Sequence, residues 1–231
     1  MEPNVTIEEV SQKPSLLKML TSPGEQFERM KGKVKIAVPM ILIILVSALL
    51  IGVIAYFQTK SPAFTQAAGM TPEMASTTSM IVMITAVVGG IISMLIVYFL
   101  GAAIYKIIAM ITGSDITYTK ILAITVYASV IGLVGTLVNV LLMTVLGGTD
   151  PSYTSLAPLF QKGTVMYALG GALNIFSIWQ YVVIALGLQI AGDIPKNKAI
   201  GIVVTIFVLT TLLAVGTTAF SSMMTANIPQ P

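Results

Sequence analysis

In a chain of 231 residues, 56 % are hydrophobic and only 9 % carry a charge, whereas a soluble domain carries about a quarter charged residues. With a mean hydropathy of +0.94 there is too little charge to solvate a surface, so an ordinary soluble fold is excluded and an integral membrane protein is predicted. The absence of cysteine removes disulfides and thiolate chemistry, and the absence of histidine removes the commonest metal ligand and the usual near-neutral proton carrier.

The first 35 residues read as a cytoplasmic tail. Residues 1–15 are polar, with Glu2, Glu8 and Glu9, and read as mobile. Ser22, Pro23 and Glu25 then mark a helix start, with Ser22 as N-cap, proline in the first turn and Glu25 closing a capping box. Phe27, Met30 and Val34 follow at one helical face, while Arg29, Lys31, Lys33 and Lys35 suit anionic headgroups. This predicts a short amphipathic interfacial helix that orients the first span. The same residues could instead dock a cytoplasmic partner, with Phe27, Arg29 and Lys31 as contacts.

Crossing the hydrocarbon takes about 20 largely apolar residues, and five runs qualify, at about 36–57, 80–105, 121–146, 164–190 and 199–220. The first run is longer than a signal-peptide core, so no cleavable signal is read. Pro39 falls in its opening turn, where a missing N–H is harmless. The second run stays apolar to Ile111 but meets Lys106, which is placed at the interface with 107–112 as an interfacial continuation. The fold class is therefore all-α, a polytopic membrane protein with a five-helix domain over 36–222 and an external tail over 223–231.

Lysine and arginine set the orientation. The tail holds six (Lys13, Lys18, Arg29, Lys31, Lys33, Lys35), and Lys106, Lys120, Lys196 and Lys198 fall in the even-numbered connections. The opposite face has only Lys60 and Lys162, so ten against two predicts a cytoplasmic N-terminus and an extracytoplasmic C-terminus. The same placement explains the pI near 9.1 without nucleic acid as a partner.

No Asp, Glu, Lys, Arg or His falls inside the five runs, which argues against ion-coupled transport and intramembrane proteolysis. No GxxxxGK[ST] motif occurs. Neither catalysis nor a cofactor or metal is expected. What the spans do contain is small residues at four-residue spacing: Gly89, Ser93 and Gly101 on the second, Ala128, Gly132 and Thr136 on the third with Asn139 on a neighbouring face, and Gly170 with Asn174 on the fourth, followed by Gly187 and Ala191. Such stripes allow close helix approach, and amides can hydrogen-bond across helices. They pack the five helices on each other, form a seam for a partner's helices, or, with Gln180, line a polar path. Trp179, Tyr181 and Tyr167 read as interfacial anchors or core aromatics.

The connection 147–163 (GGTDPSYTSLAPLFQKG) carries Tyr153, Leu156, Leu159 and Phe160, more apolar surface than a solvated loop needs. A short helix on the outer leaflet is expected, with an extracytoplasmic partner as the alternative. GDIPKNKAIG (192–201) reads as a cytoplasmic turn: Gly192 or Asp193 ends the fourth helix, Pro195 blocks its continuation, and Lys196 and Lys198 hold it inside and offer a cytoplasmic contact.

SPGEQFERM before the first span, GSDITYTKILAITVYAS entering the third, and IWQYVVIALGLQIAGDIPKNKAIGIVV joining the last two resemble the Yip (Ypt-interacting protein) membrane family over about residues 15–222. Members often have a proline shortly after the Tyr-Ala of the third helix; here Tyr127-Ala128 is followed by Ser129-Val130-Ile131, so a straighter helix is expected. Eukaryotic members resemble trafficking factors that contact Rab-type GTPases, but their tyrosine- and glycine-rich motifs are absent, and that role is not implied. Resemblance to the bacterial branch implies a non-catalytic accessory protein of the plasma membrane. It would interact with, and help assemble, an ABC-type exporter built from an ATPase, a permease and a membrane-fusion-type subunit, with protection against a secreted toxic peptide. Membrane lipids and a second copy of the chain are further expected partners. The alternative is a small-solute channel or lipid-handling protein.

Overall fold

The structure, a computed structural model, describes residues 13–32, 34–61, 64 and 71–226. A 3₁₀ turn at Leu17–Met19 precedes α1 (Pro23–Arg29), α2 (Ala37–Thr59), α3 (Pro72–Ile111) and α4 (Tyr118–Leu146); a second 3₁₀ turn at Ala157–Leu159 leads to α5 (Val165–Ala172), α6 (Ile175–Ile190) and α7 (Lys196–Ala226). Threonine hydroxyls cap three of these starts: Thr71 accepts from the Met74 amide, Thr117 from that of Lys120 and Thr164 from that of Tyr167. Gly147 ends α4 in the left-handed region at φ 67°, a conformation that costs glycine nothing.

Among the described residues α2, α3, α4 and α7 are each long and apolar enough to cross a membrane, and α5 with α6 qualifies as a fifth span bent by 50°. The expected continuous helix over 164–190 is thus broken. The second span is also longer than expected. Its 40 residues reach about 60 Å, and the stretch 107–111 is the same helix rather than a separate interfacial piece. α7 likewise runs beyond residue 220 to Ala226; residues 227–231, like 1–12 and Lys33, lie outside the described residues.

Two ends of the bundle can be told apart. Lys120 reaches the carbonyls of residues 30–32, and Lys198 Nζ lies 3.5 Å from the Gly113 carbonyl, which gathers α1, the α3–α4 connection and the 191–195 turn at one face. Gln58 Nε2 meets the Thr149 carbonyl at 3.5 Å, which joins the ends of α2 and α4 at the other.

α4 is the centre, unbroken and packed on α2, α3 and α6. Of its most apolar stretch 61 % is buried in protein, against 0 % for α3. Lipid gives little hydrophobic drive between helices, so close contact falls where side chains are small. A Cβ on Gly132 would lie 2.5 Å from Gln180 Oε1, one on Gly135 2.6 Å from Phe176, and one on Gly187 2.6 Å from Ile124. On α3 the tight position is Gly90, where a Cβ would lie 2.6 Å from Ile51 of α2. The Tyr98 hydroxyl and Ser129 Oγ, 2.8 Å apart, add a hydrogen bond between α3 and α4.

The N-terminal segment docks on this core. Phe27, Met30 and Met19 are fully buried, and the Phe27 ring fills the notch at Gly187, 2.8 Å from where a Cβ would stand. Lys120 Nζ donates to the carbonyls of Met30 (2.6 Å), Lys31 (2.8 Å) and Gly32 (3.2 Å), which satisfies the C-cap of α1 and the two residues after it. The apolar face of α1 is therefore turned to α6 inside the protein rather than to lipid. Ser22 is the N-cap, but its side chain makes no capping bond. Its amide is taken by the Lys18 carbonyl at 2.8 Å, which leaves no donor for Glu25 to close a box. Phe27→Ala, which empties a filled notch worth about 3–5 kcal/mol by soluble-protein figures, and Lys120→Met should each speed tryptic cleavage after Arg29 and Lys31 in detergent-solubilised protein. Glu25→Gln, which touches only a 3.9 Å pair with Arg29, should leave the rate unchanged.

Candidate functional site

The break between α5 and α6 is where three sequence-predicted residues meet. Asn174 caps α6: its Oδ1 accepts from the amides of Phe176 (2.9 Å) and Ser177 (3.2 Å). A helix start inside a bilayer needs such partners, because no water is there to satisfy its free N–H groups. Thr154, from the 147–163 connection, supplies the rest. Its carbonyl accepts from the Ile175 amide at 3.2 Å, and its Oγ1 accepts from Asn174 Nδ2 at 2.8 Å and from Asn139 Nδ2 at 2.7 Å. Its own amide donates to Asn139 Oδ1 at 3.0 Å. Asn139 is buried on α4 and uses its remaining amide proton on the Gly135 carbonyl at 3.0 Å. One threonine thus joins the loop, α4 and the start of α6.

Gly170 completes the seat. The Leu156 amide donates to its carbonyl at 3.1 Å, and a Cβ there would lie 2.9 Å from the backbone of Leu156 and Ala157. Ala157 is fully buried. The connection 147–163 therefore seats Thr154 and Ala157 against the helices instead of lying as one helix on the leaflet; of its apolar residues Tyr153 and Phe160 are half-buried, while Leu156 and Leu159 remain exposed. Farther out, the Tyr167 hydroxyl donates to both Asp150 oxygens (2.9 and 3.1 Å), and Lys162 Nζ pairs with Asp150 at 3.1 Å. Burial works against the Asp150 charge, but hydrogen bonds from Ser152, Tyr167 and Lys162 with the Lys162 charge outweigh it and hold the carboxyl below its ordinary value of 3.8.

The other candidates divide by face. Ala128 is buried and Gly132 lies against Gln180, so both serve the α4–α6 contact, together with Gly135, which the four-residue spacing passes over. On α3 the internal contact uses Gly90, not the expected stripe. Gly89 and Ser93 are exposed and Gly101 is half-buried, and a Cβ on either glycine would meet nothing within 4 Å. At the α1 face, Phe27 is buried within the chain and so is no free contact surface, while Arg29 and Lys31 pair with Glu25 (3.9 Å) and Glu28 (2.6 Å). Lys196 and Lys198 are exposed. The turn before them has Asp193 at φ 53°, and α6 ends at Ile190 with Ala191 as its C-cap, slightly ahead of the expected Gly192. Tyr167 binds the loop, Tyr181 shares a hydrogen bond of 3.1 Å with Thr210 of α7, and Trp179 is exposed. Among the described residues no three His, Cys, Asp or Glu side chains gather to hold a metal. Thr154 is the residue that sequence reasoning passes over; the available signal was Asn174, a strong N-cap type inside an apolar run.

The Yip1 domain model matches residues 17–217. The chain belongs to the Yip1 domain family. It is 31 % identical over 193 residues to membrane protein YknW of Bacillus subtilis (strain 168), covering 81 % of this chain and 82 % of that protein. No solved structure matches it significantly. Family membership and apolar helices together make it a multi-pass membrane protein.

Thr154→Val keeps the shape but strands two asparagine amides, so unfolding in detergent should fall by about 1–3 kcal/mol. Thr154→Ser should retain most of the stability. Because the Asp150 pKa is depressed on folding, its contribution is complete above the unfolded value near 4 and is lost as pH falls through the lower folded value. Thermal unfolding followed against pH should show that loss below about pH 4 in the wild type and not in Asp150→Asn, which lacks the contribution at every pH.

Proposed function

We propose that the chain is a non-catalytic accessory protein of the plasma membrane that interacts with, and assists assembly of, an ABC-type export complex, with its α1 face in the cytoplasm. Protection against a secreted toxic peptide follows from supporting such an exporter. The observation that carries this reading is the division of glycines on α3. Gly90 is used against α2, whereas Gly89, Ser93 and Gly101 leave backbone accessible on a helix whose most apolar stretch is 0 % buried in the chain. Small residues left open on a membrane helix allow a second helix to approach closely, and a permease supplies such helices. Lys196 and Lys198 add an exposed cationic turn for a subunit on the α1 face. The ABC exporter itself enters through likeness to the bacterial branch of the family. A solute path or lipid-handling role would draw on Asn139, Asn174 and Gln180, but the first two are already hydrogen-bonded to Thr154.

Gentle detergent co-purification tests the proposal. Tagged wild type should recover the ATPase, permease or fusion-type subunit, and Gly89→Leu with Ser93→Leu should lower recovery at least about tenfold, the loss of one well-packed contact. Gly216→Leu, on an open position of α7, should not. Recovery of no exporter subunit by the wild type would overturn the proposal, and capture of a second copy alone would redirect it to self-association.

A further inference from the structure

The face where α2 ends carries two lysines, and they differ. Lys162 is neutralised by Asp150 at 3.1 Å. Lys60 meets no carboxylate among the described residues; its ammonium lies 5.6 Å from the centre of the Tyr56 ring. It stands at the mouth of a cavity of about 480 Å³ between α2 and α3, beside Ser76 and Ser79. A second, shallower depression of about 500 Å³, open along its length, shares Tyr56 and Met83 with the first and continues along the same pair of helices past Ala48 and Gly52 to Leu45 and Val87. From Lys60 to Leu45 the groove follows 15 residues of α2, about 22 Å of helix, and its apolar part below Tyr56 covers about 16 Å. That is the depth of one leaflet of a hydrocarbon core about 30 Å thick.

We infer that the α2–α3 groove binds one anionic phospholipid, with its phosphate at Lys60 and the Ser76 hydroxyl and one acyl chain laid down the groove to Leu45. Three features converge on that occupant. No carboxylate among the described residues meets the cation, the Ser76 hydroxyl stands at headgroup level while that of Ser79 is held by the Ala75 carbonyl at 2.7 Å, and the walls below Tyr56 are apolar for one leaflet's depth. A partner's helix would match the apolar walls but leave Lys60 without an anion. A free phosphate would match Lys60 but not the groove. Gly52 widens the floor, since even a Cβ there would only touch Val87 at 3.5 Å.

Native mass spectrometry of the purified full chain, with phosphatidylglycerol or phosphatidylcholine added to delipidated protein, tests the site. The wild type should retain one phosphatidylglycerol in preference to phosphatidylcholine. Lys60→Ala should reduce that retention about fivefold, the effect of one lysine at an anionic headgroup, and Lys60→Arg should restore it. Ala48→Phe, which fills the apolar part, should lower retention of both lipids, with thermal unfolding confirming that each variant is folded. Inorganic phosphate should not compete. Equal retention of the two lipids by the wild type, unchanged retention in Lys60→Ala, or displacement by inorganic phosphate would each overturn the inference.

Discussion

A helix interrupted within a bilayer leaves amides and carbonyls with no water to bind, at several kilocalories per mole for each unsatisfied group. The break at residues 173–174 is the point on which the rest of this structure depends. The Ile175 amide is taken by the Thr154 carbonyl, the Phe176 and Ser177 amides by Asn174, and the Gly170 carbonyl by the Leu156 amide. Because Thr154 and Leu156 come from the 147–163 connection, that stretch of the loop has to be seated against the bend. Because Thr154 also pairs with Asn139, α4 is held at a fixed distance from the bend. Bend, seated loop and central helix are one arrangement.

Glycine then governs how tightly that arrangement closes. Gly132 and Gly135 admit Gln180 and Phe176 from α6, and Gly187 admits both Ile124 of α4 and Phe27 of α1. The docked N-terminal segment is fixed a second time by Lys120 on three carbonyls. α4 consequently packs on α2, α3 and α6 at the centre, whereas the most apolar stretch of α3 has none of its residues fully buried. On α3 internal packing and outward surface thus fall on different faces and different stretches of one helix.

Much of the fold is legible in the sequence because membrane insertion depends on length and hydropathy. The first span expected at 36–57 is α2 at 37–59, and the third at 121–146 lies within α4. Helix faces are less legible. In lipid both buried and outward sides are apolar, so no polar stripe marks the outside of α3, and adjacent Gly89 and Gly90 differ only by the 100° turn between neighbouring residues. The start of α3 at Thr71-Pro72-Glu73 carries a readable N-cap signature, but its first turns are polar and fall below any hydropathy criterion. The role of Thr154 is illegible for another reason: its partners Asn139 and Asn174 lie 15 and 20 residues away, and only the fold brings them together.

The interlock of loop and broken span is tested most directly by hydrogen–deuterium exchange of the full chain in lipid nanodiscs. The amides of Thr154, Leu156 and Ile175 donate to Asn139, Gly170 and Thr154 respectively. Slow exchange is therefore expected in peptides covering 150–160 and 174–178, as slow as in the core of α4. Rapid exchange across 150–160, as of a loop resting on the membrane surface, would contradict the interlock and with it the seating of the bent span.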